Sequence, residues 1–256
     1  MNLSGLMKVG AGIGLVALLG AGVAAFVLLH GRVQPLGLAP SISASPRASP
    51  LPDDPLALAC RRPAVHGNAT QGVAGLWAIE PGSVAGYRAH EVFAELASPH
   101  EAVARTERIS GWVLVTSGDS IQVQAGCIAV DVRTLHSVDE IPGFDTTDRD
   151  RSAGEMLGVF AHPFVIFEPY PATMALEAGS TAVQHVRLTG DLEVNGVTRP
   201  ASFSLDVRLQ RDQLAAAGST VVQAGDFDVQ VPQEAGGFVQ VDPRITLEVS
   251  LVLGRP

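Results

Sequence analysis

The residues able to do chemistry are scattered along this chain rather than gathered. Seven histidines, His30, His66, His90, His100, His136, His162 and His185, are spread over 256 residues. No two stand four apart, the spacing that places two imidazoles on one helical face for a metal, and there is no His-Glu-x-x-His. No Gly-x-Ser-x-Gly turn exposes a nucleophilic serine and no Gly-rich loop ending in Lys-Ser or Lys-Thr cradles a phosphate. Asp148, Asp150 and Glu155 cluster, but Arg149 and Arg151 are interleaved. Such a run reads either as a solvated, self-paired charge cluster or as a portal or partner contact. Carboxylates work as acid and base only in a pocket that moves their pKa values apart. No catalytic residue and no metal ligand is therefore nominated. The one covalent possibility is a disulfide between the two cysteines, Cys60 and Cys127.

The elements that must position these residues are almost all strands. Asp191-Leu192-Glu193-Val194 alternates wet and dry faces, and Asn195-Gly196 then supplies the dipeptide that tolerates the positive φ of a type I′ turn. Pro200 cannot donate a ladder hydrogen bond and is expected at a strand start or edge. Phe203, Leu205, Val207 and Leu209 resume the alternation. Further strands are predicted over Trp77–Ile79, Val84–Phe93, Ser110–Thr116, Ser120–Thr134, Ser219–Ala224 and Arg244–Leu253. The phase changes within the fourth of these. Ile121 and Val123 share one parity and Ile128, Val130 and Val132 the other, which predicts a bulge at Gly126. Only Asp148–Val159 suggests a helix, a short one. Many short strands with turn signals, and no fixed-period repeat, read as a barrel or sandwich.

Before these strands lie two segments of other character. Val9–Leu29 is an uncharged run of 21 residues flanked by Lys8 and by His30 and Arg32. At 1.5 Å per residue it spans about 30 Å as a helix, the thickness of a bilayer core, and it is longer than a cleavable signal's apolar region of about 7–15 residues. An uncleaved transmembrane anchor is expected. Residues 30–75 form a linker and pre-barrel segment rich in Pro, Ser and Ala, which favours extended, hydrated chain. Beyond the anchor stand 16 arginines against 26 acidic residues, a net charge of about −10. That balance gives no electrostatic reason to bind nucleic acid or anionic lipid, so membrane contact is assigned to the anchor.

Several pieces taken in order resemble one family. Gly190-Asp191-Leu192 with Gly196-Val197-Thr198-Arg199-Pro200 resembles the G-D-L-x-x-x-G-V-T-[KR]-P segment of the YceI-like family. Gly86-Tyr87 with Glu91, Arg105-Thr106 with Gly111, Val130-Asp131-Val132 with Leu135, Arg149-Asp150, and Pro163 with Phe167 are similar to further segments of an actinobacterial-type branch of it. The order holds from Trp77 to Leu253, with a longer stretch at Val138–Thr147 and with His162 where an aromatic is common. The fold this resemblance implies is all-β: an eight-stranded antiparallel lipocalin-like barrel over residues 76–256 with one short helix. An apolar lumen of that size takes one slender ligand. The inward parity nominates Val113, Val115, Ile128, Val130, Val132, Val165, Phe167, Leu192, Val194, Phe203 and Leu205 as its lining. Alternation alone fits a filled core equally well; the resemblance is what implies a ligand cavity.

The function implied is a membrane-anchored, extracytoplasmic binding protein that holds a polyisoprenoid or isoprenoid quinone, requires no cofactor and catalyses no reaction. The alternative is a filled-barrel interaction or structural module of the cell envelope without lipid. No residue pattern decides between a monomer and a homodimer. In such a compartment Cys60 and Cys127 should oxidise. Cys127 shares the parity of Asp131 and Arg133 and so faces outward, where the pre-barrel segment carrying Cys60 could reach it. A Cys60–Cys127 disulfide is expected; two unrelated thiols are the alternative.

Overall fold

The computed structural model describes residues 33–40, 54–63, 73–93, 99–118, 120–141, 145–174, 180–210, 213–232 and 239–256. The expected membrane helix Val9–Leu29 and the middle of the linker lie outside the described residues. Among the described residues no helix is long and apolar enough to cross a membrane. The chain divides into two units, Met1–Gln34 and Pro35–Pro256, and everything below concerns the second.

Its strands are β1 (Gly75–Ile79), β2 (Val84–Phe93), β3 (His100–Thr106), β4 (Ile109–Ser117), β5 (Ile121–Asp131), β6 (His136–Ser137), β7 (Phe164–Pro169), β8 (Ala172–Met174), β9 (Gln184–Val194), β10 (Val197–Gln210), β11 (Gln213–Gln223), β12 (Val239–Val241) and β13 (Arg244–Gly254). The helices are α1 (Pro55–Ala59) and α2 (Thr147–Met156). All pairings are antiparallel, and eight strands ring a closed barrel in the order β1-β4-β5-β7-β9-β10-β11-β13. The ring closes where Ala78 and Ile79 of β1 meet Gly254 and Leu253 of β13. Further along the same edge β13 carries β2, which continues into β3 and β6.

Local sequence sets the register. Asn195 and Gly196 have φ of 51° and 73°, the type I′ turn that the dipeptide predicts, and Val194 pairs with Val197. Gly196 is held by space as well as by φ: a Cβ there would lie 2.4 Å from the His162 ring. Gly196→Val is expected to cost about 1–3 kcal/mol through strain at a special φ and the displaced ring, read as a lower urea midpoint at unchanged slope. An unchanged midpoint would show that the turn does not hold the register. Pro200 pairs with Asp191 of β9 on a stretch of β10 beyond the last β11 pair, Ser204 with Ser219, so it sits on an open edge as expected. The predicted bulge exists but lies earlier than Gly126. Leu114 faces Ala125 and Val115 faces Val123, which leaves Gln124 as the extra residue and moves the inward parity from odd to even.

The N-terminal flank of this unit is less loose than its composition suggests. Residues 35–40 lie along the outer wall. The Leu36 N–H donates to Glu248 Oε2 at 3.1 Å, Ser250 Oγ donates to the Gly37 carbonyl at 2.7 Å, and Arg208 donates to the Ala39 carbonyl at 3.0 Å. Beneath them Glu248, 3 % exposed, accepts from Arg88 Nε at 2.9 Å and Arg105 Nη2 at 3.0 Å. Composition misses this because the partners are backbone groups, which any residue supplies. Asp54 caps α1 by accepting from the Leu56 N–H, and α1 lays Leu56 against the wall beside Ala129. There the Cys60–Cys127 disulfide forms, with Cα atoms 5.4 Å apart and Cys127 on the outer face as its parity predicts.

A candidate ligand cavity and its mouth

Inside the barrel the core is packed on one side and open on the other. Val113 and Val115 face inward with Trp77, which is fully buried and donates from Nε1 to the Val73 carbonyl at 2.8 Å. These residues fill the region near β1, so the two valines do not reach the open part. The open part is a cavity of about 120 Å³. Its walls include the other nine nominated residues: Ile128, Val130, Val132, Val165, Phe167, Leu192, Val194, Phe203 and Leu205. Phe167 and Phe203 meet edge to face with centroids 5.0 Å apart.

Several lining residues were not nominated. Leu247, Val249 and Leu251 of β13 and Leu188 of β9 also line the cavity, and their alternation was visible in the sequence. Ala85 and Tyr87 come from β2, whose inward face mixes small and polar residues and so hides its phase. Leu135 and Leu157 come from a turn and from the end of α2, where no period-2 signal exists.

Tyr87, Val132, Leu135 and Leu157 are shared with a second chamber of about 320 Å³. That chamber lies between the barrel and α2 and is walled further by Arg133, Asp150, Arg151, Ala153, Glu155 and Phe160. It adjoins the cavity across the four shared residues, and we read it as the mouth. Burial pushes the Tyr87 hydroxyl up to about 12, so it stays protonated where the two chambers meet.

α2 covers the mouth without burying a single residue of its own. Polar pins hold it. Arg149 Nη2 donates to Ser137 Oγ and to Asp139 Oδ1, both at 2.6 Å, and Nη1 reaches Glu91 Oε2 at 3.4 Å. Asp150 accepts from the Ser137 N–H at 3.0 Å and from Ser137 Oγ. Asp139 also accepts from the Val103 N–H at 2.8 Å and pairs with His100 Nε2 at 2.6 Å. The charge cluster seen in the sequence thus divides. Asp148 and Arg151 pair with each other at 2.6 Å in solvent, while Arg149 and Asp150 turn inward as the latch. Their partners Glu91, Ser137 and Asp139 lie on other elements, up to 58 residues away, which is why sequence spacing did not collect them.

Two carboxyl groups of this latch respond to pH in opposite senses. Burial alone would raise Asp139, but hydrogen bonds from Arg149, His100 and the Val103 N–H outweigh it and hold the carboxyl below its ordinary 3.8. Burial raises Glu91 above its ordinary 4.5 despite Arg149. Asp139 therefore contributes stability that is present above pH 3.8 and lost as pH falls through its folded value. A folded-state Glu91 binds a proton that the unfolded chain has released, so stability declines as pH rises from 4.5 through its raised value. Thermal melts of Glu91→Gln should lose that upper decline and keep the acid loss. Parallel profiles for variant and wild type would contradict this assignment.

Among the described residues no group of His, Cys, Asp and Glu could hold a metal ion. Residues 88–253 match the YceI-like domain family. No curated protein gives a significant match. Among solved structures the chain is similar to a polyisoprenoid binding domain from Saccharophagus degradans implicated in plant cell wall breakdown, at 14 % identity and a TM-score of 0.48, covering 70 % of this chain and 98 % of that one. It is similar to BcnA of Burkholderia cenocepacia at 17 % identity and a TM-score of 0.43, covering 65 % and 95 %. A YCEI protein of Campylobacter jejuni gives 9 % identity and a TM-score of 0.43, covering 65 % and 84 %.

Proposed function

This chain belongs to the YceI-like domain family, and from that premise we propose that its barrel is a binding protein for one linear, isoprenoid-type lipid chain. The observation that carries the reading is the cavity itself, walled mostly by Val, Ile, Leu and Phe from both sides of the barrel, with Ala85, Tyr87 and Glu248 completing the lining, and adjoined by the mouth chamber. The apolar wall asks for hydrocarbon; the isoprenoid identity is what the family resemblance implies.

Magnitudes shape the cargo. An apolar cavity of about 150 Å³ holds a guest the size of benzene and stays dry when empty. The inner cavity, at about 120 Å³, is therefore sized for about one isoprene unit. At about 0.8 kcal/mol per buried CH₂, five carbons gain about 4 kcal/mol, which at most reaches the low end of the 4–15 kcal/mol cost of association. Tight binding requires a longer chain that runs on through the mouth past Tyr87 and Leu157. A polyprenyl carrier or the tail of an isoprenoid quinone has that shape. We assign the barrel no catalytic role.

We further propose that Val9–Leu29 anchors the protein and that the barrel is extracytoplasmic. The length of the apolar run supports the anchor, and the Cys60–Cys127 disulfide fits an oxidising compartment. The ligand reading is tested by displacement. A fluorescent prenyl probe bound to the full-length protein should be displaced by long linear prenols and not by a sterol, whose fused rings exceed the cavity. Equal displacement by both would show a surface hydrophobic site instead.

A further inference from the structure

Phe160 is 93 % exposed, whereas the other exposed large apolar side chains among the described residues lie between 36 % and 61 %. It stands on the rim of the mouth chamber. Its position is built, not loose. The turn after α2 is tied by bonds from the Leu157 N–H to Ala153, the Val159 N–H to Gly154, and the Ala161 and His162 N–H groups to Gly158. Gly158 has a φ of 61°, and a Cβ there would lie 2.3 Å from Asn195 Oδ1, so the turn sits tight against the β9–β10 hairpin tip. Val159 is buried while its neighbour is thrust into solvent. A lone exposed apolar side chain is ordinary on a protein surface; what sets this one apart is that a tied turn holds a large aromatic at the rim of a chamber that adjoins an apolar cavity.

We infer that Phe160 is a docking wedge that seats the mouth of the barrel in the interfacial layer of a lipid bilayer. The occupant follows from continuity and charge. On the binding reading above, on which this inference rests, the chamber that Phe160 borders is the route of a lipid whose only reservoir is a membrane. Both arginines of the rim are neutralised, Arg133 by Asp131 at 2.8 Å and Arg151 by Asp148 at 2.6 Å, which leaves two carboxylates, Asp150 tied to Ser137 and the exposed Glu155. With a net charge of −9 on the chain, nothing there selects an anionic surface. The fitting partner is a zwitterionic bilayer, entered by the aromatic ring, and the contact should be indifferent to salt.

The test uses full-length protein reconstituted in phosphatidylcholine vesicles with Phe160→Trp. Trp77 is fully buried and Trp112 partly covered, so wild-type emission supplies the background. The introduced indole should emit at shorter wavelength than in detergent-free buffer and be quenched by brominated phosphatidylcholine, equally at low and high salt. In Phe160→Ser vesicles, prenyl-probe uptake from the bilayer should slow about tenfold, the factor that loss of one buried aromatic implies. A solvent-like emission that brominated lipid leaves untouched overturns the inference. So does a blue shift without quenching, which means a second protein copy covers the ring, or quenching confined to anionic vesicles at low salt. Lipid extracted from the lumen of the same preparation is measured separately. Lumen lipid without quenching overturns docking alone; quenching over a bare lumen leaves docking standing and overturns the cargo reading.

Discussion

Val194→Trp and Val130→Trp are each expected to leave the barrel folded and without lipid. Both side chains line the inner cavity from strands that are not neighbours, β9 and β5. An indole exceeds an isopropyl group by a volume of the same order as the cavity, so it can enter by filling space that is already empty. Overpacking of a tight core costs about 1–3 kcal/mol, and a pre-existing cavity moves these variants toward the lower end. The loss of binding should be near complete, because a chain excluded from the inner cavity keeps only the mouth, and half of a marginal hydrophobic gain does not outweigh association. Val221→Trp serves as the control, since Val221 is 61 % exposed on the outer wall. Its lipid content should equal that of wild type. Unchanged lipid in both lumen variants would move the ligand out of the barrel.

The second large effect is on stability. The disulfide closes a loop whose ends are 67 residues apart. The chain-entropy account gives on the order of 4 kcal/mol for that loop, and strain usually reduces it. Cys60→Ala with Cys127→Ala also frees α1, which lays Leu56 on Ala129. For a unit of this size about 1 kcal/mol moves Tm by 2–4 °C, so the double variant should melt roughly 5–15 °C lower. Protease should then cut first within residues 54–63, which the bridge otherwise ties to the barrel wall. A shift under about 2 °C would mean that α1 and the strap at residues 35–40 hold that flank without the bridge.

What could be read from the sequence depended on whether a signal was local. The Asn195-Gly196 hairpin was legible because the turn requires positive φ at two successive residues and few dipeptides allow it. The span Val84–Phe93 was legible as a strand by composition. The bulge was legible in existence, because parity must change between Val123 and Ile128, but its place was not: Gly126 is the conspicuous residue, while Gln124 is the extra one. β3 left no alternation to find. Ala102, Val103 and Ala104 are all buried, since β6 and Asp139 cover the face that solvent would otherwise wet. The latch was invisible for a different reason. Glu91, His100, Asp139 and Arg149 meet only through contacts between separate elements, 10 to 58 residues apart along the chain, and in sequence they look like ordinary surface charge.

If the barrel carries a chain-like lipid, solvent extraction of purified full-length protein followed by mass spectrometry will find it. Wild type should yield about one linear isoprenoid lipid per chain, retained through washing, while Val194→Trp purified in parallel should yield none. Protein that folds with the same melting profile and gives up no stoichiometric lipid from its native membrane would identify the barrel as a filled scaffold that carries no lipid.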